Sequence, residues 1–252
     1  MDCLRQWLTE NSYSRQEELS FGDCDASGRA RMGTLLGLLA AAAGHDFDAR
    51  GLPWERLYAM RQVILLSRIA LRVRRSPVTG EVVTVTTYEN GSRGAHMRRN
   101  FEIAAGDGTL LLSAKSDWIL VDPVERKILR PSAFTGRVLT LCTKEIDAPE
   151  CGKLTLPAEG TEELGRRPVR YSDLDCNGHV YSGNYGDIVW DALPPELQTA
   201  PVREFALNYS KEAVPGEELT LRGLRQGDEY RMEGLCGAGV CFTARCLFGE
   251  PD

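Results

Sequence analysis

Histidine is scarce in this chain, at three in 252 residues, and none of the eight cysteines sits in a CxxC pair. Zinc-ligand spacing is therefore missing, and no metal is expected. Long apolar runs are missing too. The longest, Leu35 to Gly44, is about half of what a bilayer span requires. Positive charge is not in excess: 30 basic against 36 acidic residues leave a net charge of −6, which argues against nucleic acid as the main partner. The opening stretch MDCLRQWLTENSYSRQEE carries charges and no apolar segment, so nothing in it marks the chain for export. Scattered cysteines then fit reduced thiols and a cytoplasmic location. With 42% hydrophobic and 26% charged residues, disordered, collagenous and coiled-coil classes fall away. One large domain or two of about 120 residues remain.

What is present is a module written twice. F-G-D-C-D-A-S-G-R-A and Y-S-D-L-D-C-N-G-H-V align at an offset of 150 residues, matching Asp23, Asp25 and Gly28 to Asp173, Asp175 and Gly178. A helical stripe follows each copy: Leu35, Leu39, Ala43 and Phe47 in the first, and Tyr185, Ile188, Val189 and Ala192 in the second. Gly51 and Pro53 stop one, and Pro194-Pro195 the other. Further on, Ala70, Leu71, Gly80, Glu81 and Thr84 match Ala206, Leu207, Gly216, Glu217 and Thr220 at an offset of 136 residues. The smaller offset predicts a longer helix or loop in the first copy. Both copies then continue as β-rich stretches, such as Val82 to Tyr88 and Leu219 to Leu224, with glycine hairpins at Gly106-Asp107-Gly108 and Gly237-Ala238-Gly239.

Each unit thus reads as strand, turn, one long helix and several antiparallel strands. This is an α+β architecture in which a curved sheet wraps the helix, and two such sheets can pair edge to edge. The expected organisation is an N-terminal unit over 1–141, a linker over 142–165 and a C-terminal unit over 166–252.

The copies differ where chemistry would sit. The second turn offers Asp173, Asp175, Asn177 and His179, with Glu212 after the next aligned strand, whereas Ser27, Arg29 and Ser76 stand at the places of Asn177, His179 and Glu212. Only the C-terminal unit combines an amide, an imidazole and the extra carboxylate. Such groups beside a helix N-terminus suit acyl transfer to water: free backbone N–H groups receive a developing oxyanion, and His179 moves protons near neutral pH. Glu212 would act as base for a water or hold the imidazole. Asn177 would orient water or substrate. Asp175 would brace the turn or attack directly. His45 and His96 receive no role.

The stretch Y-S-D-L-D-C-N-G-H-V-Y-S-G-N-Y resembles the D-x-D-x-N-x-H-V-N-N-x-x-Y motif of the acyl-[acyl carrier protein] thioesterases. N-Y-S-K-E-A-V-P-G-E is similar to that family's Y-x-x-E segment, and Ser116 to Pro131 to its strand-and-loop segment with Trp and a basic turn. The resemblance implies a tandem, or double, hot-dog fold. It also implies hydrolysis of fatty acyl thioesters on the phosphopantetheine arm of acyl carrier protein, with no cofactor. By position it places the catalytic set on Asp175, Asn177, His179 and Glu212, and substrate contacts on Asp173, Tyr181, Ser182 and Tyr185. Tyr181 and Ser182 replace the family's paired asparagines, and Ala213 stands where plant relatives have cysteine, which excludes a thiol nucleophile there. Direct attack by water, assisted by Glu212 and His179, is the favoured course.

The acyl chain is expected between sheet and helix of the N-terminal unit. Carrier proteins are generally acidic, so a locally basic docking surface is expected, with Arg72, Arg74 and Arg75 as its candidates, together with the Arg98-Arg99 and Arg166-Arg167 pairs. An acyl-CoA thioesterase, or a silent protein that binds acyl thioesters, are the competing readings. The chain is expected to act as a monomer or homodimer.

Overall fold

The computed structural model describes residues 3–134, 140–237 and 239–249. In chain order the strands are β1 (Cys3–Leu8), β2 (Tyr13–Glu18), β3 (Val63–Val73), β4 (Val82–Arg93), β5 (His96–Ala105), β6 (Leu110–Asp122), β7 (Lys127–Leu129), β8 (Glu162–Pro168), β9 (Val202–Tyr209), β10 (Glu218–Gln226), β11 (Glu229–Cys236) and β12 (Gly239–Phe248). The helices are α1 (Met32–Ala49), α2 (Trp54–Ala59), α3 (Asn184–Ala192) and α4 (Pro195–Gln198). None is long and apolar enough to cross a membrane.

All strands join one antiparallel sheet in the order β1-β2-β4-β5-β6-β3-β9-β12-β11-β10-β8, with β7 beside β6. From the centre outward this reads β3, β6, β5, β4, β2 on one side and β9, β12, β11, β10, β8 on the other, the same unit twice. The halves meet where β3 pairs with β9, and Ala70 lies opposite Ala206. These residues also align with each other in the repeat. An antiparallel pair related by a two-fold axis must place equivalent residues face to face at the axis, so the repeat and the register locate it independently. The seam covers an edge of each half-sheet, which would otherwise be open to stray pairing.

Strand alternation sorts the faces. In β4, Val83 and Val85 are fully buried while Thr84 and Thr86 point away, toward hydrogen bonds with Gln16 and Ser14. The core is continuous across both halves. In α1 the predicted Leu35, Leu39 and Ala43 are buried, but so are Leu36, Leu38, Ala42 and Asp46. The stripe is widened because α3 packs on it: a Cβ on Gly186 would lie 2.8 Å from the backbone nitrogen of Gly33.

Two expectations need correction. The second unit has no long helix. α3 spans 9 residues against 18 for α1, because Leu193 turns extended before Pro194 and Pro195, a position that disfavours helix. This difference accounts for much of the offset change. The expected linker also runs too far, since β8 begins at Glu162 and pairs with β10 through Gly165 opposite Leu221. Its charged sequence EELGRRP suits a sheet edge and hides the strand from hydrophobic patterning.

The rest of that segment is anchored rather than slack. Cys142 N–H donates to the Glu89 carbonyl, Asp147 pairs with Arg72 and Arg74, and Glu150 pairs with Arg98 and Lys115. His96 opens β5. Of the two glycine hairpins, Gly106 to Gly108 joins β5 to β6, and Ala238 of the other lies outside the described residues.

Candidate active site

The two Asp turns are built alike. Asp25 Oδ1 accepts the N–H groups of Ser27 at 2.8 Å and Arg29 at 3.1 Å. Asp175 Oδ1 accepts those of Asn177 at 2.8 Å and His179 at 3.3 Å. Gly28 and Gly178 follow at φ 76° and 79°, a region open to glycine without penalty. A backbone bond ties each turn to the segment after the central strand. Ala30 N–H donates to the Pro77 carbonyl, and Val180 N–H to the Ala213 carbonyl at 2.9 Å. The second bond sets the residues just before it, His179 and Glu212, side by side.

Their side chains meet. His179 Nε2 lies 3.4 Å from Glu212 Oε2, both partly exposed. The segment carrying Glu212 is fixed from both ends: Ser210 N–H donates to the Cys241 carbonyl, and Glu217 accepts the Val214 N–H at 3.0 Å. Asn177 is exposed on the same turn. A carboxylate against an imidazole at a solvent-open turn can take a proton from water and return it to a leaving thiolate.

Helix N-termini distinguish the halves. Gly33 N–H at the start of α1 donates to Asp187 Oδ1 at 2.9 Å, and Arg31 holds the other oxygen of Asp187 at 3.0 Å. A side chain from α3 thus occupies the anion position of α1. At the repeat offset of 150, Gly183 corresponds to Gly33, and Gly37, which has no side chain, corresponds to Asp187. The N–H of Gly183 consequently has no hydrogen-bond partner among the described residues. Burial raises the Asp187 carboxyl above its ordinary value, against the pull of the Gly33 N–H and Arg31.

The other turn is disarmed. Arg29, at the place of His179, gives its guanidinium to Ser27 Oγ at 2.8 Å and the Thr199 carbonyl at 2.6 Å. A cavity of about 490 Å³ opens beside it, lined by Ser27, Arg29, Arg31, Ser76, Asp187 and Trp190 among others. It is the counterpart of the armed turn and holds neither imidazole nor glutamate.

The expected substrate contacts do not assemble as a set. Asp173 is buried, and its carboxylate is taken by Arg167 at 2.7 and 2.9 Å and the Arg170 N–H at 2.7 Å. Burial pushes its pKa up, but these bonds outweigh it and leave it lowered. Tyr185 is buried edge-on against Tyr209 and Phe242. Ser182 offers its carbonyl to the Tyr209 hydroxyl at 3.0 Å. Tyr181 lies against α1, its hydroxyl 3.6 Å from where a Cβ on Gly37 would be.

Nor do the basic candidates form an open patch. Arg72 and Arg74 are bound by Asp147, and Arg72 also by Glu204. Arg75 binds Glu81 through two nitrogens. Arg98 is held by Glu150, and Arg166 and Arg167 by Glu163 and Asp173. Arg99 is 2% exposed, between Asp46 and Glu89. Strand alternation had not revealed the acidic strap that neutralises several of them.

One site neighbour escaped the sequence reading. Arg126, between β6 and β7, places Nη2 3.6 Å from Glu212 Oε2. Its basic turn was visible, but not its reach into the other half.

Two half-sheets, each curved around one helix and joined edge to edge, define a double hot-dog protein. The profile of the acyl-ACP thioesterase N-terminal domain matches residues 10–132, and that of the C-terminal domain residues 158–233. The chain belongs to the acyl-ACP thioesterase family.

A palmitoyl-acyl carrier protein thioesterase of Gossypium hirsutum is 24% identical over 241 residues, covering 90% of this chain and 58% of its own length. An acyl-[acyl-carrier-protein] hydrolase of Cuphea viscosissima is 27% identical over 194 residues, covering 74% and 46%. The chain spans about half the length of these curated relatives. Among solved structures, an acyl-ACP thioesterase from Bacteroides thetaiotaomicron superposes with a TM-score of 0.87 at 26% identity, covering 94% of this chain and 98% of the other. The 12:0-ACP thioesterase from Umbellularia californica, at 18% identity and a TM-score of 0.79 over 96% and 99%, shares the fold.

Proposed function

We propose that this protein hydrolyses fatty acyl-[acyl carrier protein] thioesters to free fatty acid and carrier protein. The observation that carries the reading is the 3.4 Å approach of His179 and Glu212 in the half that keeps its helix N-terminus free of an internal carboxylate.

Glu212, with His179, draws a proton from an attacking water. The tetrahedral oxyanion is received by the Gly183 N–H at the start of α3, where the helix dipole also favours negative charge. The protonated imidazole then supplies the leaving thiolate, and Asn177 orients the water. Asp175 acts as a brace rather than a nucleophile: its Oδ1 accepts the N–H groups of Asn177 and His179, the same bonds that Asp25 makes in the half without the imidazole. Trapping an acyl group on Asp175 during turnover would overturn this course.

The acyl chain is assigned to the space between α1 and the N-terminal sheet. A cavity of about 10 Å³ remains there among Phe47, Ile64, Met97 and Trp118, so this packing must open to admit a chain.

The test is release of free thiol from one acyl chain presented on carrier protein and on CoA. His179→Ala and Glu212→Ala should each lower kcat by about 10²–10⁴-fold, the usual worth of positioned proton transfer. Turnover that survives both substitutions would end the assignment. A higher kcat/KM on CoA would transfer the substrate to the coenzyme.

A further inference from the structure

If the substrate arrives on a carrier protein, as proposed above, the carrier needs a surface. The expected one, around Arg72, Arg74 and Arg75, is already neutralised by Asp147, Glu204 and Glu81. The turn between β6 and β7 offers a different one. Val124 and Ile128 are each 62% exposed there, and Arg126 and Lys127 have side chains 83% and 72% exposed. Arg130 is also exposed and has no ion pair among the described residues. Glu125 is the acidic member of the turn and pairs with Lys127 at 3.4 Å, but Arg126, Lys127 and Arg130 leave the turn cationic. Apolar side chains held in water amid a net positive charge are the composition of a surface for an acidic protein.

The turn is braced to present these groups. Asp122 Oδ1 accepts the N–H groups of Val124 and Glu125 at 2.9 and 3.0 Å. Arg61 grips Asp122 at 2.9 Å and Glu125 at 3.4 Å from below. Arg126 itself has φ 53°, at a loop position where glycine or asparagine would be cheaper. A long cationic side chain is kept there at a cost in backbone energy, which points to use of the side chain. The surface also adjoins the chemistry, since Arg126 reaches to 3.6 Å from Glu212. A partner seated on it would hold its flexible arm next to the site.

We infer that the β6–β7 turn, through Val124, Arg126, Lys127, Ile128 and Arg130, is the docking surface for an acidic carrier protein that delivers the acyl group on its pantetheine arm.

The test compares one acyl chain on acyl carrier protein and on N-acetylcysteamine, a thiol that carries the arm's end without the protein. The quantity read is the ratio of the two kcat/KM values. The ratio should fall at least tenfold in a Lys127→Glu/Arg130→Glu double variant and in Ile128→Asp. The charge-reversal deficit should shrink as salt is raised. In Arg72→Glu the ratio should stay within twofold.

A ratio unmoved by the turn variants, or lowered by Arg72→Glu alone, overturns the inference. So does a change of sedimentation coefficient in Ile128→Asp, which would make the turn an interface between copies of this chain. Should the unaltered protein cleave neither thioester, it is the hydrolase reading that fails. Calorimetric titration of acyl carrier protein into the unaltered protein and the double variant then decides the surface alone: binding lost in the variant upholds it, and absent or equal binding overturns it.

Discussion

The duplicated turn provides an internal control for the role of Asp175. Its Oδ1 accepts two backbone N–H groups, and Asp25 does the same in the other half at nearly equal distances. Hydrogen bonds to a charged acceptor contribute roughly 1.5–3 kcal/mol each, and partial exposure lets water replace part of that. Asp175→Ala and Asp25→Ala should therefore each cost about 2 kcal/mol. For a chain of this size that corresponds to a fall in Tm of about 4–8 °C.

Activity should separate the pair. Asp175→Ala loosens the turn that carries His179, and its thioesterase rate should fall at least tenfold beyond the effect of Asp25→Ala. Asp175→Asn retains an acceptor oxygen and should keep a measurable fraction of the rate. Urea titration supplies the stability and thiol release the rate. Complete loss of turnover in a folded Asp175→Asn, with Asp25→Ala and Asp175→Ala equally stable, would refute bracing and restore the nucleophile.

Other consequences are as direct. Burial raises the Asp173 carboxyl and its bonds to Arg167 and Arg170 more than offset this, so its folded pKa is below the unfolded value. Its contribution is then fully present above the unfolded pKa of about 3.9 and lost as pH falls through the lower folded pKa. The stability gap between the native protein and Asp173→Asn, from urea midpoints, should hold between pH 7 and 5 and close below about pH 4. A gap that widens on acidification would reverse the sign. Gly186→Ala should cost about 1–3 kcal/mol by overpacking, since its Cβ would press on the backbone of Gly33. Gly44→Ala in α1 meets nothing within 4 Å and should stabilise by about 0.4–1 kcal/mol through the unfolded chain. Thermal melts of the two check both signs.

How much the sequence carried varies with how local the information was. The repeat was legible because turns reuse the same atoms: Asp25 and Asp175 brace them, and Gly28 and Gly178 take the positive φ, so the residue types recur at fixed spacing. The asymmetry of the copies was legible for the same reason. The adjacency of His179 and Glu212, 33 positions apart, followed only by analogy between the copies, and in space it depends on the bond from Val180 to Ala213. Asp173 and Tyr185 looked like substrate contacts because motif membership does not reveal burial. Arg72 and Arg74 looked free because their neutralising partner, Asp147, lies in a segment without periodicity.

The sequence by itself determined the duplicated α+β units, the turn chemistry and which copy retains a titratable set, since each is set by short-range backbone geometry and side-chain type. The tertiary structure alone decided which charges are already spent, that Asp187 closes the anion position of α1 while the Gly183 N–H has no partner among the described residues, and that an arginine from the N-terminal half stands beside the glutamate of the other. Those outcomes depend on contacts between segments far apart in the chain, where a residue's partner is chosen by the packing of the whole sheet and not by its neighbours in sequence.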